Sequence, residues 1–217
     1  MTNNNDKLLN SVRSVGIIKP YFDVKTQNFL PPQLNILGTG FWVEGKVFIT
    51  CAHVVISCLY GSVEQVGLLV VGGNKAQYLK ASISILDIEH DLAVLQILNK
   101  EFHEEQQEKC LSISAQKESV GDEIRFAGYP LGNRLLNEEH TPIFSKGVVA
   151  HTSSSVNKTR KEIKISGSIE GGFSGSPVVD ETNNVVGIIS NHPQETKNIF
   201  NIISWEHIVK ITSLENS

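Results

Sequence analysis

The chain lacks a long apolar segment. No stretch of its 217 residues approaches the ~20 consecutive apolar residues that a membrane-spanning helix needs. Its N-terminus, from Met1 to Asn10, is polar and carries no export signal. The sequence therefore predicts no membrane partner and a flexible N-terminal segment over residues 1–10, and we expect the protein to be cytoplasmic.

Cysteine is scarce as well. The three cysteines, Cys51, Cys58 and Cys110, are an odd number without a Cys-x-x-Cys spacing, so they predict neither a disulfide framework nor a cysteine-based metal site. Cys51 lies two residues before His53, which leaves a nucleophile or a metal ligand as alternatives. Because buried free cysteine is common, a structural thiol is the preferred interpretation. The sequence predicts a reducing compartment and no metal or organic cofactor.

A strong excess of charge of either sign is also absent. The 19 Lys and Arg residues and 23 Asp and Glu residues give a net charge of −4. One basic cluster, formed by Lys158, Arg160, Lys161 and Lys164, is typical of the solvated rim of a hairpin. The composition therefore predicts no nucleic acid partner and no binding to an anionic membrane.

Short apolar or alternating runs recur along the chain, separated by Gly, Pro, Asn and Asp. The first six are Val12–Ile18, Gly40–Val43, Val47–Thr50, Val66–Val71, Tyr78–Leu86 and Leu92–Leu98. The second six are Glu123–Gly128, Phe144–Ala150, Glu162–Ser166, Pro177–Val179, Val185–Ser190 and Asn198–Ile203. Runs of this length and spacing are typical of an all-β protein rather than of βαβ units. Two groups of six predict two six-stranded antiparallel β-barrels.

The remaining segments set the predicted domain boundaries. The first barrel spans residues 11–98 and the second 119–203, joined by a connection over 99–118 whose charged, glutamine-rich part we expect to be exposed. Ser204 is placed to cap a short C-terminal helix within residues 204–217. The predicted stripe of this helix, Trp205, Ile208, Val209 and Thr212, is expected to pack on the second barrel.

The most informative segment is the glycine-rich turn from Gly171 to Pro177, which carries a small hydroxyl at Ser174. A serine hydroxyl is a weak nucleophile at neutral pH, so it needs a base within hydrogen-bond reach and a third group that orients the base. His53, at the end of a β-branched and aromatic run, and Asp91, which opens an apolar strand, fit these roles. The N–H groups of Gly172 and Ser174 are predicted to form an oxyanion hole, since glycine allows close approach.

Two alternatives stand beside these assignments. Asp87 lies four residues before Asp91 and is also flanked by apolar residues, so it competes for the role of the acid. Ser176 is another hydroxyl on the glycine-rich turn and competes with Ser174. The six histidines other than His53 belong to no motif.

The order of these motifs resembles that of the chymotrypsin-like serine proteases, most closely the bacterial HtrA/Deg-like and glutamyl-endopeptidase-like branches. Six segments match in order: Gly38–Val43, Ile49–Val55, Asp91–Leu95, Ala127–Gly132, the turn at Ser174 and Val186–Ser190. The resemblance covers nearly the whole chain. It implies a Ser-His-Asp triad in which Asp91 is preferred over Asp87, and Ser174 over Ser176.

The resemblance also implies where a protein or peptide substrate binds. The triad would assemble across the seam between the barrels, and the cleft there would hold the substrate. The implied substrate-binding residues are Ser168 at the floor of the primary pocket and Ser190, Asn191 and His192 on an edge strand. Because Ser168 is neutral, we expect a small uncharged pocket rather than a preference for Lys or Arg. His192 leaves an acidic or amide side chain as an alternative.

Phe173 bears on regulation. It stands where zymogen-activated relatives have an aspartate that receives a new N-terminus, and phenylalanine cannot form that ion pair. We therefore expect control by a regulatory protein partner or a homo-oligomer rather than by N-terminal trimming. The sequence predicts a serine endopeptidase that forms an acyl-enzyme. A catalytically silent module that grips peptides is the competing interpretation.

Overall fold

The computed structural model describes residues 4–44, 47–59, 66–72, 75–98, 110–113, 118–130, 141–154, 161–168, 171–190 and 198–215. Its helices are α1 (Asn4–Ser11), α2 (Ala52–Leu59) and α3 (Trp205–Glu215). The strands of the N-terminal half are β1 (Val12–Asp23), β2 (Asn28–Val43), β3 (Val47–Cys51), β4 (Val66–Gly72), β5 (Lys75–Asp87) and β6 (Leu92–Ile97). They are followed by β7 (Ser112–Ile113), β8 (Glu123–Gly128), β9 (Ile143–Ser154), β10 (Lys161–Gly167), β11 (Pro177–Val179), β12 (Asn184–Ile189) and β13 (Ile199–Ser204).

The first six strands form a closed barrel in the order β1-β2-β3-β6-β5-β4. Strand β1 closes the ring by pairing antiparallel with β4, where Ser14 lies opposite Leu69. Strand β3, which is rich in β-branched and aromatic residues, is buried along its whole length. The predicted first barrel is thus confirmed, although β2 begins at Asn28, well before the expected start at Gly40.

The second half forms a seven-stranded sheet in the order β11-β8-β9-β10-β13-β12-β7, and β11 also pairs with β12. The prediction for this half was six strands. The additional strand is β7, which runs parallel to β12 with Ser112 opposite Asn184. Its residues fall in the predicted connection over 99–118. The charged part of that connection, Asn99 to Lys109, lies outside the described residues, as do Lys158 and Arg160 of the basic cluster.

The N-terminal segment differs from the prediction. Residues Asn4 to Ser11 form α1 instead of a flexible tail. Leu8 is fully buried in the same apolar cluster as the first barrel, and the Arg125 guanidinium of β8 donates a 2.9 Å hydrogen bond to Asn5 Oδ1. The prediction of a flexible segment is therefore wrong for these residues, because one leucine and one amide fix the helix to the second sheet and the core.

The predicted C-terminal helix is present as α3, but its packing differs in part. Ile208 and Ile211 are buried, whereas Val209 of the predicted stripe is 42% exposed. The helix contacts β12 and β13, which confirms the expected packing on the second half, and it also contacts β5 and β6 of the first barrel. His207 of α3 stacks on His90 in the β5–β6 turn, with ring centroids 4.3 Å apart.

Apolar side chains also join the two halves at their seam. The main cluster of the first barrel continues into the second half through Tyr129, Val179 and Ile188. A second cluster fills the second half, around Phe126, Phe173 and Ile189. Among the helices that the structure describes, none has the length and apolar character that crossing a bilayer requires.

Candidate active site

His53 and Asp91 meet because their strands are neighbours. His53 follows β3 and Asp91 precedes β6, and these strands pair with Cys51 opposite Leu92. The His53 Nδ1 atom lies 2.8 Å from Asp91 Oδ2 and 3.0 Å from Oδ1. The backbone N–H of His53 donates to the same Oδ1 at 2.9 Å. One carboxylate therefore holds both the ring and the main chain of this histidine.

The backbone of Asp91 is itself unusual. Its φ of +55° lies in the left-handed region, which aspartate tolerates better than most residues. The N–H of Asp91 donates to Ile88 O at 3.4 Å, and its carbonyl accepts the N–H of Ala52 at 3.1 Å. These bonds turn the chain back just before β6 and aim the carboxylate at His53.

A serine hydroxyl completes the surroundings of this carboxylate. Ser190 Oγ donates to Asp91 Oδ2 at 2.6 Å. Burial favours a raised pKa for Asp91, but the hydrogen bonds from His53 and Ser190 outweigh it, and the pKa of Asp91 is lowered. The carboxylate is therefore ionised at neutral pH. The sequence predicted Ser190 as a substrate-binding residue and gave no signal for its contact with Asp91.

Asp87, the alternative acid, pairs with a different histidine. Its Oδ2 lies 2.8 Å from His90 Nδ1, and its Oδ1 accepts the N–H of His90 at 3.1 Å. This pair repeats the contacts of Asp91 with His53, but it faces α3, where His90 stacks on His207. Asp91 is thus the acid that the fold brings to His53.

Ser174 lies on a tight turn, and only 6% of its surface is exposed. The carbonyl of Ser174 accepts the N–H of Thr39 from β2 at 2.8 Å. The next residue, Gly175, donates its N–H to Ile189 O at 2.9 Å, and the Cys51 thiol donates to the same oxygen at 3.3 Å. One carbonyl at the end of β12 thus links the turn to the strand that leads into His53. These bonds hold the backbone of the Ser174 turn against β2 and against the end of β12.

The predicted oxyanion donors lie on the same turn. Gly172 has a φ of +104°, and a side chain there would overlap the carbonyl oxygen of Tyr129. Its own carbonyl accepts the Thr39 hydroxyl at 2.8 Å, and Thr39 Oγ1 in turn accepts the N–H of Tyr129 at 2.9 Å. Only glycine fits this place, which fixes the start of the turn against β2 and β8.

Gly175 gives a stability prediction. Gly175 and Gly121 both have a positive φ, of +87° and +98°. A methyl group at Gly175 would overlap the Thr39 carbonyl, whereas one at Gly121 would have no atom within 4 Å. We expect Gly121→Ala to lower the free energy of unfolding by about 1–2 kcal/mol, the cost of the left-handed backbone. Gly175→Ala should cost about 2–3 kcal/mol more, because the overlap adds an overpacking term. Urea denaturation of the two variants measures the difference, and equal losses would contradict the close approach.

The neighbours of Ser174 on the turn are buried. Ser176 is fully buried, and within the described part of the chain its hydroxyl has no hydrogen-bond partner. Phe173 is 2% exposed and stands edge-on to Phe126, with ring centroids 5.5 Å apart. Phe173 thus fills the core of the second half rather than forming an ion pair.

The predicted specificity residues are only partly described. Ser168 is exposed and directly follows β10. Asn191 and His192 lie outside the described residues. The preference of the primary pocket therefore stays a prediction.

Cys51 completes a compact set of donor atoms. Its Sγ, an imidazole nitrogen of His53 and a carboxylate oxygen of Asp91 all lie within 4.8 Å of one another. Burial, and then the nearby charge of Asp91, raises the pKa of the Cys51 thiol well above its ordinary value. The thiol is therefore protonated at neutral pH, which argues against a role as nucleophile.

Known proteins share both the sequence pattern and the fold. Do-like 13 of Arabidopsis thaliana, a Do-like protease homologue, is 29% identical over 191 residues, 84% of this chain and 35% of that protein. The mitochondrial protease Do-like 4 of the same plant is 28% identical over 176 residues, 79% of this chain and 31% of that protein. The chain thus spans about a third of the length of these curated relatives.

A solved structure gives the fold independently. The crystal structure of the active form of the Rv3671c protease from M. tuberculosis superposes with a TM-score of 0.67, covering 95% of this chain and 81% of that one at 18% identity. This likeness confirms the chymotrypsin-like fold. The family model described as trypsin-like peptidase domain matches residues 38–188, which is more than half of the chain. The protein therefore belongs to the trypsin-like peptidase family.

Proposed function

We propose that this protein is a serine endopeptidase in which Ser174 is the nucleophile, His53 the general base and acid, and Asp91 the residue that orients His53. The observation that carries the proposal is the pairing of His53 Nδ1 with the Asp91 carboxylate at 2.8 Å. Because an ionised carboxylate accepts only, Nδ1 carries the proton and Nε2 keeps its lone pair. That tautomer is the one that can take a proton from a serine hydroxyl.

The reaction proceeds through an acyl-enzyme. Ser174 Oγ attacks the scissile carbonyl carbon while its proton passes to His53 Nε2, and the resulting imidazolium is stabilised by Asp91. The tetrahedral intermediate then collapses as His53 gives the proton to the leaving amine. A water molecule then attacks the ester carbonyl while His53 takes its proton. His53 returns that proton to Ser174 Oγ as the acid product leaves. The N–H groups of Gly172 and Ser174 stabilise the oxyanion during both acylation and deacylation.

Selectivity and control form the second part of the proposal. Ser168 supplies no counter-charge for Lys or Arg, so the pocket takes small or apolar side chains. Phe173 is packed against Phe126 and has no group that could receive a new N-terminal ammonium. Control therefore falls to a protein partner or a second copy of the chain, which orders the loops of the cleft.

Labelling with a fluorophosphonate tests the function. This reagent phosphonylates a serine, with loss of fluoride, only where a base activates the hydroxyl. We expect one adduct per chain, located at Ser174 by peptide mapping, with Ser176 unmodified. The Ser176→Ala variant is the matched control and should still be labelled. A folded protein without an adduct at Ser174 would favour the competing role as a silent peptide-binding module.

A further inference from the structure

We propose that Cys51, His53 and Asp91 form an inhibitory binding site for a thiophilic divalent cation, with Zn²⁺ as the physiological metal of that class. The ion would bind to His53 Nδ1, the nitrogen that carries the proton of this imidazole in the metal-free protein. The inhibition rests on the proposed function, whereas the binding of the ion does not, so the two can be tested apart.

The donor atoms already lie almost where an ion needs them. All three are within 4.8 Å of one another, and the nitrogen of His53 that faces the carboxylate is Nδ1, 2.8 and 3.0 Å from its oxygens. Bond lengths of ~2.0–2.3 Å place two ligands of a tetrahedral zinc ion about 3–4 Å apart. Shifts of about 1 Å therefore suffice to enclose the ion.

The donor set selects the class of metal. A thiolate, an imidazole and a carboxylate suit Zn²⁺, and three protein ligands with a fourth position left to water are a common arrangement for it. Mg²⁺ and Ca²⁺ prefer sets made of oxygen atoms. The site should therefore discriminate strongly against these hard cations.

Charge and protons balance on binding. The Cys51 thiol loses its proton to solvent, and the resulting thiolate and the Asp91 carboxylate together neutralise the two charges of the ion. The proton of His53 Nδ1 is lost from that nitrogen while Nε2 gains one, so the imidazole stays neutral. Each bound ion thus releases one proton, and a site with no net charge is tolerated where solvent is largely excluded.

The relocated proton explains the inhibition. With Nδ1 bound to the metal, Nε2 carries hydrogen and has no lone pair with which to accept the Ser174 proton. Ser174 itself stays in place. The cation therefore stops the chemical step by fixing the wrong tautomer, without occupying the substrate cleft.

The burial of Cys51 makes binding of the ion slow. Cys51 is fully buried, whereas the side chains of His53 and Asp91 are 34% and 14% exposed. An ion therefore enters past the imidazole ring, which has to swing aside. Because the ion displaces a thiol proton, binding strengthens as the pH rises.

The first experiment measures inhibition. Purified wild-type protein is incubated with Zn²⁺ or Mg²⁺, and the rate of fluorophosphonate labelling is followed. We expect Zn²⁺ to slow labelling at micromolar concentrations, Mg²⁺ to have no effect, and EDTA to restore the rate. In Cys51→Ala, compared with its own metal-free rate, the inhibition constant should rise more than about tenfold, since even outer-shell contacts are worth this much. Cys58→Ala, another buried cysteine variant, should respond like the wild type.

The second experiment measures binding without catalysis. Cd²⁺ is titrated into Ser174→Ala protein, and thiolate-to-metal charge-transfer absorption is recorded in the ultraviolet. We expect a band that saturates at one ion per chain and disappears when Cys51→Ala is added to Ser174→Ala. An absent band, or one that persists without Cys51, would overturn the metal site. Equal Zn²⁺ inhibition of wild type and Cys51→Ala would do the same. Failure of labelling alone, with the band present, would overturn the proposed function instead.

Discussion

Replacing Asp91 by asparagine is expected to lower kcat by about four orders of magnitude while the fold stays intact. The reason lies in how the two oxygens are used. Oδ1 accepts the backbone N–H of His53 at 2.9 Å, so the amide oxygen of an asparagine would stay there. The amide nitrogen would then take the place of Oδ2, facing His53 Nδ1. Since an amide nitrogen only donates, Nδ1 would have to accept and Nε2 would carry the proton.

The matched control is Asp87→Asn. Asp87 makes the same two contacts with His90 that Asp91 makes with His53, so both substitutions remove a charge beside an imidazole. We expect Asp87→Asn to stay within about fivefold of the wild-type kcat, because Asp87 contacts His90, which packs on α3, and not His53. Kinetics on a cleaved peptide, with circular dichroism to verify folding, measure both variants. If the two substitutions lowered kcat by similar factors, the contact between Asp91 and His53 would not be the cause of the loss.

The strands could be predicted from the sequence because their side-chain patterns are local. Strand β3, for instance, is an unbroken run of Val, Phe, Ile, Thr and Cys that follows Gly45 and Lys46 in the sequence, and it is buried throughout. Helix α1 could not be predicted in this way. Its sequence is polar, and the helix is fixed by the burial of Leu8 and by the bond from Arg125 to Asn5, contacts that depend on distant parts of the chain.

The same distinction applies to α3. The predicted stripe assumed one partner surface, so Val209 was expected to be buried. In the structure the helix lies against both halves; Ile208 and Thr212 of the predicted stripe are buried, Val209 is exposed, and Ile211 is buried in addition. When a helix contacts both halves of a protein, the spacing of its apolar residues does not by itself show which of them are buried.

Motifs predicted the candidate site residues, but not the contacts between them. The pairing of Asp91 with His53 follows from the register of β3 and β6, and each motif gave only one partner. Ser190 Oγ on Asp91 and the Ile189 carbonyl shared by Gly175 and Cys51 needed the third dimension. The contacts of Ser190 with Asp91 and of Cys51 with Ile189 join residues 99 and 138 positions apart, and no local pattern encodes such distances.

Replacing Ser174 by alanine is expected to have the largest effect of all, a loss of about six orders of magnitude in kcat. The hydroxyl is the atom that becomes bonded to the substrate, so no neighbouring group on the turn can replace it. What remains would come from water attack assisted by the oxyanion donors and by substrate binding. Binding itself should change little, since alanine preserves the turn and the carbonyl that Thr39 contacts.

Ser176→Ala separates the two hydroxyls of the turn. Ser176 is fully buried and, among the described residues, its Oγ has no hydrogen-bond partner, so removing this oxygen costs no bond. We expect kcat near the wild-type value and a free energy of unfolding that is unchanged or about 1 kcal/mol higher, because an unsatisfied buried group is lost. Peptide kinetics and urea denaturation of both variants give these quantities. If Ser176→Ala abolished cleavage while Ser174→Ala retained it, the nucleophile would be the other serine, and the roles assigned along this turn would have to be exchanged.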